Sequence, residues 1–333
     1  MTNPLIVAEL SANHRGQFEI AEKLIDACAK AGAGAIKLQT WTPGTMVLDK
    51  TLVVQSGPWA GRNMSELYEE AHTPWEWHVP LFNQAKQLGM IGFSSVFDLQ
   101  ALDFLESIGC PMYKISSFDL TDLPLIRAVA KTKKPMVIST GMGSWNEIKD
   151  AYANAKNNGC PDITMLKCTS SYPAPHKSLN IKSMLHLKQL GGRIGFSDHS
   201  IGPMAAVVAT SLGADMIEKH VTLDRADGGL DAEFSATPDE LAELVRQTSM
   251  AADCAGGPDY FYPNKAEADQ AKMRKSVWVI KDMHKGQIFT PDCLTMARPN
   301  TGTGGDAYDK VIGRRVMRRI SANTPMSWDM LMK

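Results

Sequence analysis

Eight short apolar runs recur along the first two thirds of this chain, and each ends in polar residues before a stretch of helical periodicity. They are "LIVAEL" from residue 5, "AIKLQT" from 35, "MIGFSS" from 90, "PMYKISS" from 111, "PMVISTG" from 135, "ITMLKCTSSY" from 163, "RIGFSDHS" from 193 and "DMIEKHVT" from 215. The intervening segments read as helices. In "QFEIAEKLIDACAKAGAGA", Phe18, Ala21, Leu24, Ile25, Cys28 and Ala31 follow the three-and-four spacing of one buried face, and Gly32 stands where a helix would stop. A crossover helix returns the chain to the same end of a sheet, so strands alternating with helices are parallel. Eight such units predict a closed (β/α)8 barrel, a TIM barrel, over residues 1–255. An open doubly wound sheet is the alternative, but "ELSANHRG" after the first run is not the glycine-rich nucleotide loop it would need.

Composition narrows the class further. A net charge of −1 gives no electrostatic reason to wrap nucleic acid or to lie on an anionic membrane. The first apolar run follows Met1–Asn3 directly, which leaves no room for a secretory signal, and no run is long enough to span a bilayer. The six cysteines are scattered without a CxxC pair, so reduced thiols in a cytoplasmic protein are expected.

In a barrel of this kind the active site gathers at the C-terminal ends of the strands. Those ends carry Glu9; Lys37 and Gln39; Ser94 and Ser95; Lys114, Ser116, Ser117 and Asp119; Ser139 and Thr140; Lys167, Thr169, Ser170, Ser171 and Tyr172; Ser197, Asp198 and His199; and Glu218, Lys219 and His220. Lysines among hydroxyls make a site for a small, multiply charged anion. His199 and His220 end neighbouring strands, and two imidazoles with nearby oxygens suit a divalent ion such as manganese, cobalt or magnesium. Glu9, Asp119, Glu218 and Asp231 are candidate acids and bases, or salt-bridge partners of the rim lysines.

The pattern changes towards the C-terminal end. Residues 256–273 read as a linker, and residues 274–333 read as short strands and tight turns. This last part carries a net charge of +6 against −7 for residues 1–273, which suggests a small basic domain whose Arg298 could reach an anionic site.

Taken in order, "AELSANHRG", "AIKLQT", "YKISSFD", "ISTGM", "KCTSSYP", "GFSDHS", "IEKH" and "KGQIFTPDCL" followed by "ARP" resemble the sialic acid synthase family over essentially the whole chain. The resemblance implies a (β/α)8 barrel joined to an antifreeze-like (SAF) domain at 274–333. It also implies condensation of phosphoenolpyruvate with the open-chain aldehyde of an N-acetylated amino sugar, giving a nine-carbon keto acid and phosphate. By the same resemblance Lys37, Lys114, Ser117, Ser139, Ser170 and Ser197 would hold phosphoenolpyruvate, and His199 and His220 the metal, with manganese expected first. Glu9, Gln39, Asp119, Tyr172 and Asp231 would meet the sugar or a reacting water, and Arg298 would cross between subunits in a domain-swapped homodimer. "ELSANH", "GPWAGRNMSELYEEAHTPWEWH" and "KCTSSYP" look closer to the pseudaminic branch than to the N-acetylneuraminate branch. Asp119 stands where sialic acid synthases carry glutamate, and Ser170 where they carry asparagine, so a different sugar pocket is expected. His14 falls in a matching motif without a role that the residues explain. Two other readings compete: a Schiff-base lyase using Lys114 or Lys167, and a non-enzymatic sugar-acid sensor.

Overall fold

A computed structural model of the chain describes residues 3–257 and 265–332. Two compact units divide at Gly256: Met1–Gly256 and Gly257–Lys333. The first is a closed barrel of eight parallel strands in sequential order: β1 (Leu5–Glu9), β2 (Ala35–Thr40), β3 (Ile91–Val96), β4 (Tyr113–Ile115), β5 (Met136–Ser139), β6 (Ile163–Cys168), β7 (Arg193–Asp198) and β8 (Met216–His220). β8 closes on β1, with Glu9 opposite His220. Each of the eight apolar runs of the sequence falls on one strand, and β3 runs one residue past its run, to Val96. The runs "ITMLKCTSSY" and "PMYKISS" overshoot, because β6 leaves the ladder after Cys168 and β4 after Ile115. Thr169, Ser170, Tyr172 and Ser117 therefore sit on loops above the strands.

The helices close the outer layer for local reasons. The helix Phe18–Ala31 buries Ala21, Leu24, Ile25, Cys28 and Ala31. It ends at Gly32, whose φ of 91° is the left-handed conformation that glycine adopts without a steric penalty. The last helix of the unit, Pro238–Ala255, starts from a Thr237–Glu240 capping box, and a side chain at Gly32 would press on its Val245 at 3.2 Å. Two connections depart from the simple repeat. Between β6 and β7 the chain makes short helical turns, Ile181–Ser183, Met184–Leu187 and Lys188–Leu190, in place of a long helix. Between β2 and β3 it inserts a hairpin-like arm, with Val53 bridged to Asn63, ahead of the helix Met64–Ala71.

The second unit holds a three-stranded antiparallel sheet in the order β10 (Leu294–Ala297), β9 (Ser276–Val279), β11 (Thr324–Pro325). Its own core gathers Val277, Val279, Phe289, Val311, Val316, Ile320 and Met326. The expected linker at 256–273 contains the helix Lys265–Ala271, and its residues 258–264 lie outside the described residues. No helix among the described residues is long and apolar enough to cross a membrane.

Candidate active site

The strand ends bring an ionic cluster into the barrel mouth. Lys37 is ion-paired with Glu9 and donates to Ser95 Oγ at 2.9 Å. Lys114 Nζ lies 3.0 Å from Glu218 Oε1, which also accepts from Ser197 Oγ at 3.0 Å, and Lys37 Nζ is 4.0 Å from Glu218 Oε2. All four charged side chains are buried. Burying charges is costly unless they are paired, so two ammonium groups persist here because two carboxylates face them.

The two carboxylates are not equivalent. Burial alone would raise both. Around Glu218 the charges of Lys114 and Lys37 and the bonds from Lys114 and Ser197 win, holding it at about 2. Glu9 meets Lys37 closely but also faces the Glu218 charge, and burial prevails, leaving it at about 7. For Lys37, burial favours the free amine, but Glu218 and Glu9 outweigh it and keep the ammonium. Asp119, bonded by Ser116 Oγ, is raised by burial to about 6.

A ring of hydroxyls surrounds this cluster. Ser139 Oγ at the end of β5 is buried with no hydrogen-bond partner among the described residues. Ser117 Oγ accepts the Gly141 N–H at 3.0 Å. A side chain at Gly141 would lie 2.2 Å from Ser170 Oγ and 2.8 Å from Ser117 Oγ, so the close approach of these two hydroxyls depends on glycine there. Cys168 sits beneath them, buried, with Ser170 Oγ at 3.7 Å and His199 Nδ1 at 3.8 Å. Burial would raise its thiol, but His199, Ser117 and Ser170 hold it down at about 7.

His199 and His220 meet beside the cluster, with ring centroids 5.3 Å apart and planes at 62°. His199 Nδ1 is 3.1 Å from Thr169 O, so a proton on Nδ1 leaves the Nε2 lone pair free. Burial lowers the imidazole of His199, yet the Cys168 contact prevails and raises it. His220 is pushed well below its ordinary value by burial and by the His199 charge, so it is a neutral imidazole, and its buried Nδ1 has no hydrogen-bond partner among the described residues. The nearest carboxylate is Asp231, at 3.7 Å. Asp231 is itself raised by burial and accepts from Ser11 Oγ. His220 Nδ1, together with His199 Nε2 once that ring is neutral, fits a divalent ion. No group of three or more His, Cys, Asp or Glu among the described residues could hold one, so water or substrate oxygens would complete its shell.

Of the remaining residues expected from the sequence, Gln39 follows Lys37 by two positions on β2 and so faces the same side. The Tyr172 ring packs against His199, with centroids 4.3 Å apart and planes tilted by 41°. Arg298 lies in the second unit, exposed, with Nε donating to Met273 O at 2.7 Å. The sequence reading missed an aromatic wall: Trp59 and Phe234 pack against Tyr172 at 5.4 and 5.1 Å. It also missed Ser11, and it did not bring Cys168 beside Ser170 and His199, a contact that only the folded chain makes. His14 has a structural explanation. Its Nδ1 accepts the Gly16 N–H at 3.1 Å, its Nε2 meets Thr73 Oγ1 at 3.0 Å and its ring meets Trp77, so it pins the loop after β1. Burial lowers it to about 4.

The chain matches the NeuB family over residues 24–260 and the SAF domain over residues 274–332. It is 38% identical over 330 residues to pseudaminic acid synthase of Helicobacter pylori, covering 98% of this chain and 97% of that one. It is 31% identical over 332 residues to N,N'-diacetyllegionaminic acid synthase of Legionella pneumophila, covering 97% of this chain and 93% of that one. Among solved structures, N-acetylneuraminic acid synthetase from Leptospira borgpetersenii superimposes with a TM-score of 0.74 at 31% identity, covering 81% of this chain and 90% of that one. Fold, order of motifs and similarity over nearly the full length agree, and the chain belongs to the NeuB family.

Proposed function

We propose that this protein is an enzyme that condenses phosphoenolpyruvate with the open-chain aldehyde of an N-acetylated amino sugar, releasing phosphate and a nine-carbon keto acid. Pseudaminic acid synthase chemistry is the favoured form, supported by the 38% identity to the Helicobacter pylori enzyme. N-acetylneuraminate and legionaminate synthesis are the alternatives within the family. The observation that carries the reading is the pair of buried ammonium groups, Lys37 and Lys114, framed by hydroxyls beside two imidazoles.

In this reading Lys37 and Lys114 bind the phosphate and carboxylate of phosphoenolpyruvate, and Ser117, Ser139, Ser170 and Ser197 donate to their oxygens. The enol carbon forms the new carbon–carbon bond to the aldehyde carbon as the aldehyde C=O π bond opens, and the aldehyde oxygen takes up a proton to become a hydroxyl. Water then adds at the phosphate-bearing carbon, giving up a proton, and the carbon–oxygen bond to phosphate breaks. Glu9 and Asp119, at about 7 and 6, are the carboxyls able to exchange that proton near neutrality, whereas Glu218 stays ionised and positions Lys114 and Ser197. Tyr172, Gln39 and Asp231 orient the sugar. A divalent ion held by His199 and His220, manganese with cobalt or magnesium as alternatives, would supply Lewis-acid polarisation of a carbonyl oxygen. Unpaired cysteines fit a cytoplasmic setting. The exposed Arg298 would be contributed across a domain-swapped homodimer. Phosphoenolpyruvate and the sugar are its partners in this reading, with neither nucleic acid nor membrane.

Phosphate release from phosphoenolpyruvate against a panel of acetamido sugars, with and without manganese and with chelator, tests the reading. Sugar-dependent release lost in chelator and in His220→Ala supports it. Covalent trapping by borohydride would point to a Schiff-base lyase instead, and ligand binding without phosphate release to a sugar-acid sensor.

A further inference from the structure

The β7–β8 ladder ends at the pair Asp198 and Lys219. His220 is still inside the sheet, opposite Glu9 of β1, whereas His199 stands one residue beyond the end of β7, where its place depends on the turn that follows. Successive side chains of a strand point to opposite faces, so Lys219 lies on the other side of β8 from Glu218 and His220. Its Nζ is aimed at the turn that carries His199: it lies 2.9 Å from Asp198 Oδ2, donates to Ser200 O, and is 3.5 Å from Gly202 O. The three N–H groups of one ammonium are thus directed at residues 198–202. Asp198 Oδ1 completes the clamp, accepting from Ser200 N–H at 2.8 Å and from Ser200 Oγ at 2.6 Å, so the residues on both sides of His199 are held.

An apolar side chain would be cheaper to bury at position 219 than an ammonium, and a well-packed apolar pair in place of the two charges would hold the barrel at least as well. What the lysine adds is direction, because it links the backbone on either side of His199 to the residue that precedes His220. From the opposite side, His199 Nδ1 meets Thr169 O at 3.1 Å and the His199 carbonyl accepts the Ala174 N–H at 2.9 Å, so the loop after β6 holds the ring while Lys219 holds its turn. Resting on the metal-dependent reading above, we propose that Lys219 is a positioning residue: with Asp198 it sets the spacing and orientation of His199 relative to His220, and so the affinity of the pair for a divalent ion. Groups that orient metal-binding imidazoles are worth about 10–100-fold in affinity, which is the scale expected from losing the clamp.

Manganese alone, titrated into the full chain and followed by the electron paramagnetic resonance of the free ion, tests this at a temperature well below the unfolding midpoint of each protein compared. Lys219→Met should raise the Kd about 10–100-fold. That change also leaves Asp198 uncompensated, so the discriminating protein is Lys219→Met/Asp198→Leu, which buries neither charge. It should regain stability and still bind manganese weakly, an outcome that a purely structural role for the pair would not give. If Lys219→Met fails to fold, the double variant alone decides. Wild-type Kd in the double variant, or in a folded Lys219→Met protein, would overturn the proposal. If the wild type itself binds no manganese, the metal-dependent reading fails, and the positioning role is read from the imidazole resonances of histidine-labelled protein. Movement of the His199 and His220 signals in the double variant then supports it, and unmoved signals overturn it.

Discussion

Lys219 and Asp198 form a buried pair just outside the Lys37–Glu9–Lys114–Glu218 ionic cluster, and breaking it should cost the barrel stability on the scale of any broken buried ion pair. Lys219 Nζ lies 2.9 Å from Asp198 Oδ2 and also bonds Ser200 O, with side-chain exposures of 2% and 0%. It thereby ties the end of β8 to the turn that follows β7, the two segments carrying His220 and His199. Replacing Lys219 by Met keeps the volume but leaves a buried carboxylate with only the Ser200 N–H and hydroxyl, at 2.8 and 2.6 Å. Leaving one member of a buried pair uncompensated costs about 3–5 kcal/mol, and the backbone oxygen of Ser200 loses a donor as well. At about 2–4 °C per kcal/mol for a unit of this size, the barrel's unfolding midpoint should fall by roughly 6–20 °C. Scanning calorimetry on the full chain, following the barrel transition, measures this. The double variant Lys219→Met/Asp198→Leu removes both charges, and should be less damaged than the sum of the two single changes by more than about 1 kcal/mol. A Lys219→Met protein within about 1 kcal/mol of wild type, or single costs that simply add, would refute the account.

Two further outcomes follow from the same geometry. Gly141→Ala pushes a methyl into Ser170 and Ser117, so it should raise KM for phosphoenolpyruvate about ten-fold or more while the sugar KM holds, a split that initial-rate kinetics would resolve. Glu9 is raised to about 7 from 4.5, so its contribution to stability is full below pH 4.5 and is lost as pH rises through 7; Glu218, lowered to about 2, contributes above pH 4.5 and loses its contribution as pH falls towards 2. Glu9→Gln should therefore flatten the decline of the unfolding midpoint between pH 4.5 and 7, and an unchanged pH profile would count against a raised Glu9.

What the sequence made legible, and what it did not, divides along physical lines. Strands of a parallel barrel are buried on both faces, so each shows as a short apolar run, and "AIKLQT" and "RIGFSDHS" could be read directly. The chemistry at their ends was legible because Lys37, Lys114 and Glu218 are costly residues to bury and stand towards the ends of the apolar runs. Loop-borne contacts left no such trace. Trp59 and Phe234 are 175 residues apart and meet only because the hairpin-like arm reaches the loops after β6 and β8. His14 falls in a matching motif whose residues explain no role for it, and the folded chain supplies one: Thr73 and Trp77, distant in sequence, hold it as a loop anchor.

The ionic cluster also explains how one fold tolerates a strongly cationic floor before any anion arrives. Lys37 and Lys114 would each be costly to bury alone, and neither could be left unpaired while the barrel folds. Glu218 compensates both, through a 3.0 Å bond to Lys114 and a 4.0 Å approach to Lys37, and it uses Oε1 for its two hydrogen bonds while Oε2 makes none among the described residues. Such a carboxylate fixes the positions of Lys114 and Ser197 without consuming the donors' full capacity, since an ammonium carries three N–H groups. Glu9 performs the adjustable half of the compensation: protonated, it leaves the floor with a net positive charge that an anion can meet, and ionised, it restores neutrality. Glu218→Gln should consequently damage the fold and binding together, because it leaves two ammoniums facing one partial acceptor. Glu9→Gln should act on proton exchange and remove the part of the fold's stability that declines between pH 4.5 and 7.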